Sequence, residues 1–280
     1  MASDKRPIGP EDYAEPRCVL CEEPYGKAAD VKPIPQRRIL EKLDEYMSRR
    51  DYEAVGRHLQ YWMEEAKLGK DERGELFLHN ECIGHFRKNG EREKALFHVE
   101  EALSLLQKLE MEETMSGGTT YVNAGTACNA FRENERALSL FEKAKDVYET
   151  LPSVSPEMLG GLYNNMALTL QALRRFEEAE VFYQKAVNEM RKVDGGELEV
   201  AITYLNLADT LEQKTGAEGA EKEIMGLLDE AYMLLKDAHG REEGYYAFVC
   251  EKCAPSFSYY GYFAAAEELS KRAKEIYERD

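Results

Sequence analysis

The chain has 280 residues, 43% of them hydrophobic and 32% charged, and 37 Lys and Arg against 54 Asp and Glu give it a net charge of −17. A field of that sign repels phosphate backbones and anionic lipid headgroups, which argues against nucleic acid or a membrane surface as partner. No run of eighteen apolar residues occurs, and the polar start Met1–Arg6 leads into no apolar segment, so a cytoplasmic protein without a membrane span is expected.

Residues 1–35 contain Pro7, Pro10, Pro16, Pro24, Pro33 and Pro35 with no apolar periodicity, and they read as an extended arm. The arm carries a CxxC pair, Cys18 and Cys21. Residues 36–70 follow as a degenerate capping hairpin. Ile39, Leu43 and Tyr46 lie on its first helix, and Tyr52, Val55, Leu59 and Trp62 on its second. Trp62 stands where the later units carry alanine. A terminal unit is expected to be atypical, because one of its faces meets solvent.

From residue 71 to 280 the chain repeats itself. Small residues recur at Ala102, Ala144, Ala186, Ala231 and Ala273, spaced by 42, 42, 45 and 42. A second column lies seven residues earlier, at Ala95, Ala137, Ala179, Ile224 and Ala266, on the same helical face. The preceding helix of each unit has its own small column, Ile83, Gly125, Ala167, Ala208 and Ala254. Larger residues stand three later (Phe86, Cys128, Leu170, Leu211, Phe257) and four earlier (His79, Tyr121, Tyr163, Tyr204, Cys250). That spacing makes one stripe, buried against the partner helix. The pattern predicts an all-α fold, a right-handed superhelical solenoid of about six antiparallel helix hairpins. In the fifth hairpin a longer loop is expected over Lys214–Glu221, and Pro255 is expected to kink the last unit.

Through Tyr163-Asn-Asn-Met-Ala167, Arg175-Phe-Glu-Glu-Ala-Glu180 and Phe182-Tyr-Gln-Lys-Ala186 the sequence resembles the tetratricopeptide repeats. The period of 42 is longer than the common repeat of about 34 and is similar to the kinesin light chain type. The resemblance implies a non-enzymatic scaffold or adaptor that holds a peptide or protein segment on the groove side of each first helix. It also implies that the residue two before the small column bonds the ligand's main chain. That position is occupied by Glu81, Asn123, Asn165, Asn206 and Lys252. A carboxamide offers one acceptor and two donors, which suits it to an extended backbone. Asn129, Asn164, Gln171, Asp209, Glu212, Gln213 and Tyr259 lie on adjacent turns. Arg87 and Lys88 make the first part of the groove basic, and Asp209, Glu212 and Glu251 make the last part acidic, which suggests a ligand with polarity along its length. The alternative use of these asparagines is a bond to a neighbouring repeat.

Chemistry has no visible address: there is no glycine-rich phosphate loop, nucleophile elbow or HExxH, and the five histidines share no motif. No enzyme and no cofactor are expected. The exception is zinc, for which Cys18 and Cys21, and less so Cys250 and Cys253, have the spacing of half a site each. The alternative function is therefore a zinc- or redox-responsive module whose CxxC arm controls access to the groove. The sequence leaves self-association into a homo-oligomer open.

Overall fold

The computed structural model describes residues 31–49, 51–238 and 243–278. Among these residues there are twelve α-helices and no strand. They pair as six antiparallel hairpins: α1 (Gln36–Ser48) with α2 (Tyr52–Leu68), α3 (Glu72–Lys88) with α4 (Arg92–Lys108), α5 (Met115–Ala130) with α6 (Asn134–Thr150), α7 (Pro156–Ala172) with α8 (Phe176–Met190), α9 (Glu197–Thr215) with α10 (Ala217–Asp237), and α11 (Glu243–Tyr259) with α12 (Phe263–Tyr277). The expected all-α stack of hairpins is what the chain forms. Its helices group into two compact units, the first ending at Leu151 and the second beginning at Pro152.

The hairpin turns repeat one backbone device. After α3, α5, α7 and α11 one residue takes left-handed dihedrals: Gly90 (φ 73°), Arg132 (φ 64°), Arg174 (φ 61°) and Gly261 (φ 81°). The next amide then reaches back to the carbonyl five residues earlier, as in Glu91 N to Phe86 O (2.9 Å), Glu133 N to Cys128 O (2.9 Å), Arg175 N to Leu170 O (2.9 Å) and Tyr262 N to Phe257 O (2.8 Å). This double-bonded helix end satisfies carbonyls that would otherwise be orphaned. It also turns the chain sharply enough to lay the second helix along the first.

The connection between the two units is built differently. Leu151 leaves α6 in extended conformation, Pro152 follows, and Ser155 caps α7 by accepting from Met158 N, with Pro156 in the first turn. In the first unit Asp71 does two jobs. One carboxylate oxygen accepts from Gly74 N (2.9 Å) to cap α3, and the other accepts from Ile34 N (2.8 Å). That second bond seats Ile34 in the core made by α1, α2 and α3.

The small-residue columns are buried as expected. Ala95, Ala102, Ala137, Ala144, Ala179, Ala186 and Ala231 have no exposed surface, and Tyr121, Tyr163, Tyr204 and Cys250 are buried beside them. Gly125 shows why the column is small, because a Cβ there would lie 2.6 Å from the Phe141 ring of the partner helix. At Gly118 it would collide with the Tyr148 ring. Close axes let Phe141 and Tyr148 bury fully, each contributing on the order of 2 kcal/mol.

One expectation differs from the structure. The stretch Lys214–Glu221 is helical on both sides of a single joint, Gly216 (φ 78°), so the extra residues lengthen α9 and α10. Its Ala, Glu and Lys content favours helix over loop. The helix α11 contains Pro255, which removes one amide donor, and runs on to Tyr259. In the capping hairpin Tyr52 is exposed and Trp62 half-buried, edge-on to Tyr61 and near His58. The arm's residues 1–30 lie outside the described residues.

In the first unit His79 holds the position that three later hairpins give to tyrosine, and it meets His98 of α4 with Nδ1 to Nδ1 at 2.8 Å. One ring must be the donor and the other a neutral acceptor. Burial lowers His79 to about 3, assisted by His98, and burial lowers His98 to about 4. Burial also lowers His58 and His85. For a histidine depressed on folding, the unfolded chain takes up the proton first. The stability is therefore complete above the unfolded value of 6.5 and is lost as pH falls toward 4. The urea midpoint of the first unit's transition is expected to fall between pH 7.5 and 5, at up to about 1.4 kcal/mol per pH unit for each histidine. His79→Tyr, which places there the residue of the three following hairpins, should flatten that slope.

The first-helix face and its amide bridges

The first helices meet through side-chain amides, and the same device occurs once in each unit. In the first unit Asn80 of α3 is buried. Its amide donates to Leu76 O (3.0 Å) and to Thr120 Oγ1 of α5 (3.0 Å), while its carbonyl oxygen accepts from Asn123 Nδ2 of α5 (2.9 Å). In the second unit Asn164 of α7 accepts from Thr203 Oγ1 (3.4 Å) and from Asn206 Nδ2 (3.5 Å), both on α9. Asn80 and Asn123 are separated by 43 positions and Asn164 and Asn206 by 42, so the bridge recurs with every second hairpin.

Asn123 and Asn206, both expected to grip a ligand, therefore spend one donor each on the hairpin before them. Asn164, expected beside the groove, is the acceptor of that bond. Gln171 is buried: its oxygen accepts from Tyr183 Oη (2.8 Å), and its nitrogen donates to Asp209, which also accepts from Gln213 (2.8 Å). Glu212 accepts from two hydroxyls of α11, Tyr259 at 3.0 Å and Tyr260 at 2.9 Å. Two of the expected amides differ. Asn165 on α7 and Asn129 on α5 are half-exposed, and their carboxamides hydrogen-bond to no other described residue.

In α3 the basic pair is split. Arg87 is half-buried, with its pKa lowered by desolvation, while Lys88 is exposed. Glu81 is half-buried, and burial raises its carboxyl.

One feature of this face that the sequence pattern did not reveal is aromatic. On α11, Tyr245, Phe248 and Tyr259 fall on a single line and are all exposed, with Lys252 between them over the Phe248 ring at 5.7 Å. Tyr245 donates to Glu199 of α9 (2.7 Å). The signal was present in the register: counted from Ala254, these aromatics stand where α9, counted from Ala208, places Glu199, Ile202 and Gln213.

The thiols are internal. Cys82, Cys128, Cys250 and Cys253 are free and buried, and burial raises Cys82 and Cys253 to about 12. A thiol held protonated in this way is neither a ready nucleophile nor a ready ligand. Among the described residues no group of three or more His, Cys, Asp or Glu is placed to hold a metal ion, and no helix is long and apolar enough to cross a membrane. Cys18 and Cys21 lie outside the described residues.

Stacked antiparallel hairpins with small-residue seams and an amide-lined first-helix face define an all-α repeat protein. Residues 159–223 match the tetratricopeptide repeat model. Among solved structures, the fold is similar to that of BtubC (BKLC) from P. vanneervenii, at TM-score 0.51 and 19% identity over 87% of this chain and 89% of that one. It is also similar to a Rap protein complexed with competence and sporulation factor, at TM-score 0.53 and 12% identity over 90% and 77%. The TPR-like repeats of a putative kinesin light chain from Podosopora anserina match at TM-score 0.48 and 18% identity, over 72% and 94%. No curated protein matches the sequence.

The two bridges are equivalent in register but unequal in strength. Asn80→Ala removes three bonds of 2.9–3.0 Å and strands a buried hydroxyl, at an expected cost of about 2–3 kcal/mol in urea unfolding. Asn164→Ala removes two bonds of 3.4–3.5 Å at a half-exposed site and should cost about 1 kcal/mol or less.

Proposed function

We propose that the protein is a non-enzymatic scaffold that binds a peptide or protein segment along the exposed stripe of its first helices. The observation that carries this reading is one half-exposed carboxamide in each unit, Asn129 in the first and Asn165 in the second, that hydrogen-bonds to no other described residue. Asparagine is a poor helix former, and where it neither caps nor bridges, its remaining use is to meet groups from outside. An extended main chain presents the alternating donors and acceptors that a carboxamide matches.

The scaffold reading also draws on the fold, since within each unit stacked hairpins present adjacent first-helix faces. A protein of the same fold, Rap, has been crystallised in complex with competence and sporulation factor. The reading needs no cofactor. A micromolar affinity, about −8 kcal/mol, is the scale expected for a short segment on such a face.

The test is capture from cytoplasmic extract on the immobilised full chain, compared with Asn129→Ala/Asn165→Ala at equal density. Neither amide supports the fold, so the variant should melt within about 0.5 kcal/mol of the parent. A protein retained by the parent and depleted several-fold on the variant supports the proposal. Equal retention on both would contradict it.

A further inference from the structure

The stripe of the second unit has a chemistry that restricts its partner. Tyr245, Phe248 and Tyr259 leave α11 with a solvent-facing aromatic line, with exposures of 41%, 45% and 71%. Large exposed aromatics aligned on one helix mark a docking face more often than chance exposure does. Tyr245 and Phe248 are stacked, with centroids 6.3 Å apart and planes at 23°.

Three carboxylates of α9 stand beside this line, and all are held by neutral donors. Glu199 takes the hydroxyl of Tyr245, Glu212 those of Tyr259 and Tyr260, and Asp209 the amides of Gln171 and Gln213. None of the three has an ion pair among the described residues, whereas Glu133, Glu177, Glu180 and Glu268 are each paired with lysine or arginine. Burial and Glu199 raise the Tyr245 hydroxyl, and the bond to Glu212 raises that of Tyr259, so both remain donors. Neutral donors fix the carboxylates in place without cancelling their charge. The face also contains one example of how it takes a cation, for Lys252 lies over the Phe248 ring.

We propose that the α9–α11 face docks a cationic segment of a partner protein, with arginine or lysine side chains lying on Tyr259 and Phe248 and neutralised by Glu212 and Asp209. Arginine fits best, because its planar guanidinium stacks on an aromatic ring while donating edge-on to a carboxylate. The net charge of −17 steers such a segment toward the protein from a distance. The proposal rests on the reading of this stripe as a docking face and adds the chemistry of what docks.

A displayed library of short random peptides, selected on the immobilised full chain, tests it. Three variants are compared with the parent: Asp209→Asn/Glu212→Gln, Phe248→Ala/Tyr259→Ala and, as a charge-matched control, Glu53→Gln/Asp146→Asn. Circular dichroism and melting confirm that all are folded. The expected result is a pool enriched several-fold in arginine and lysine on the parent and the control. That enrichment should be lost on Asp209→Asn/Glu212→Gln, and total recovery should fall about tenfold on Phe248→Ala/Tyr259→Ala. A neutral or acidic pool that still depends on Phe248 and Tyr259 overturns the cationic partner and leaves the docking face standing. A pool indifferent to Phe248 and Tyr259, or no selected peptide, overturns the face itself. Equal loss of basic peptides on the control reduces the effect to general acidity and also overturns the proposal.

Discussion

How closely two helix axes can approach decides most of what this chain does. From α4 onward the second helices carry alanine at two positions seven residues apart, with Ile224 of α10 the exception, and the first helices carry alanine, glycine or a single aliphatic residue opposite them. At Gly125 no room remains even for a methyl group beside Phe141. A larger side chain in such a seam would force the axes apart and open voids along the whole hairpin. With the seams closed, the large residues beside them, such as Tyr183, Phe141, Phe257 and Leu228, are fully buried. The hairpin turns serve the same constraint. Their left-handed residue and backward-reaching amide return the chain at the angle the seam requires, and the structure accepts Arg132 and Arg174 there at a conformational cost of about 1 kcal/mol each.

Packing of one hairpin on the next is more polar. Asn80 with Thr120 and Asn123, and Asn164 with Thr203 and Asn206, join consecutive first helices through amides and hydroxyls. These bonds fix register as apolar contacts cannot, because a shift of one residue would leave buried polar groups without partners. They also divide the first-helix face. Within each unit the bridged amides are committed to the fold, while Asn129 in the first and Asn165 and the aromatic line of α11 in the second stay open to solvent.

The seams were legible in the sequence because a seam tolerates few residue types, and the period of about 42 survives every loop except the fifth. The amide bridges were harder to read. Asn123, Asn165 and Asn206 share one register, yet only the first and last are bridged, because the acceptors Asn80 and Asn164 recur in alternate hairpins. A single-hairpin period cannot reveal a pattern that repeats every two. Composition misled at Lys214–Glu221, where Gly216 and Gly219 suggested a loop but only Gly216 interrupts the helices. The aromatic line was hidden because the positions of Tyr245, Phe248 and Tyr259 hold Glu199, Ile202 and Gln213 in α9, so no column of like residues marks them.

The central claim is that the outer stripe of the first helices, and not the opposite side of the hairpins, meets the partner. A photo-crosslinking residue placed at Phe248 on α11, compared with one at the exposed Val181 on α8, measures this directly in cytoplasmic extract. The account predicts a discrete crosslinked product from position 248 and none from position 181. Products of equal yield from both positions, or from position 181 alone, would contradict it.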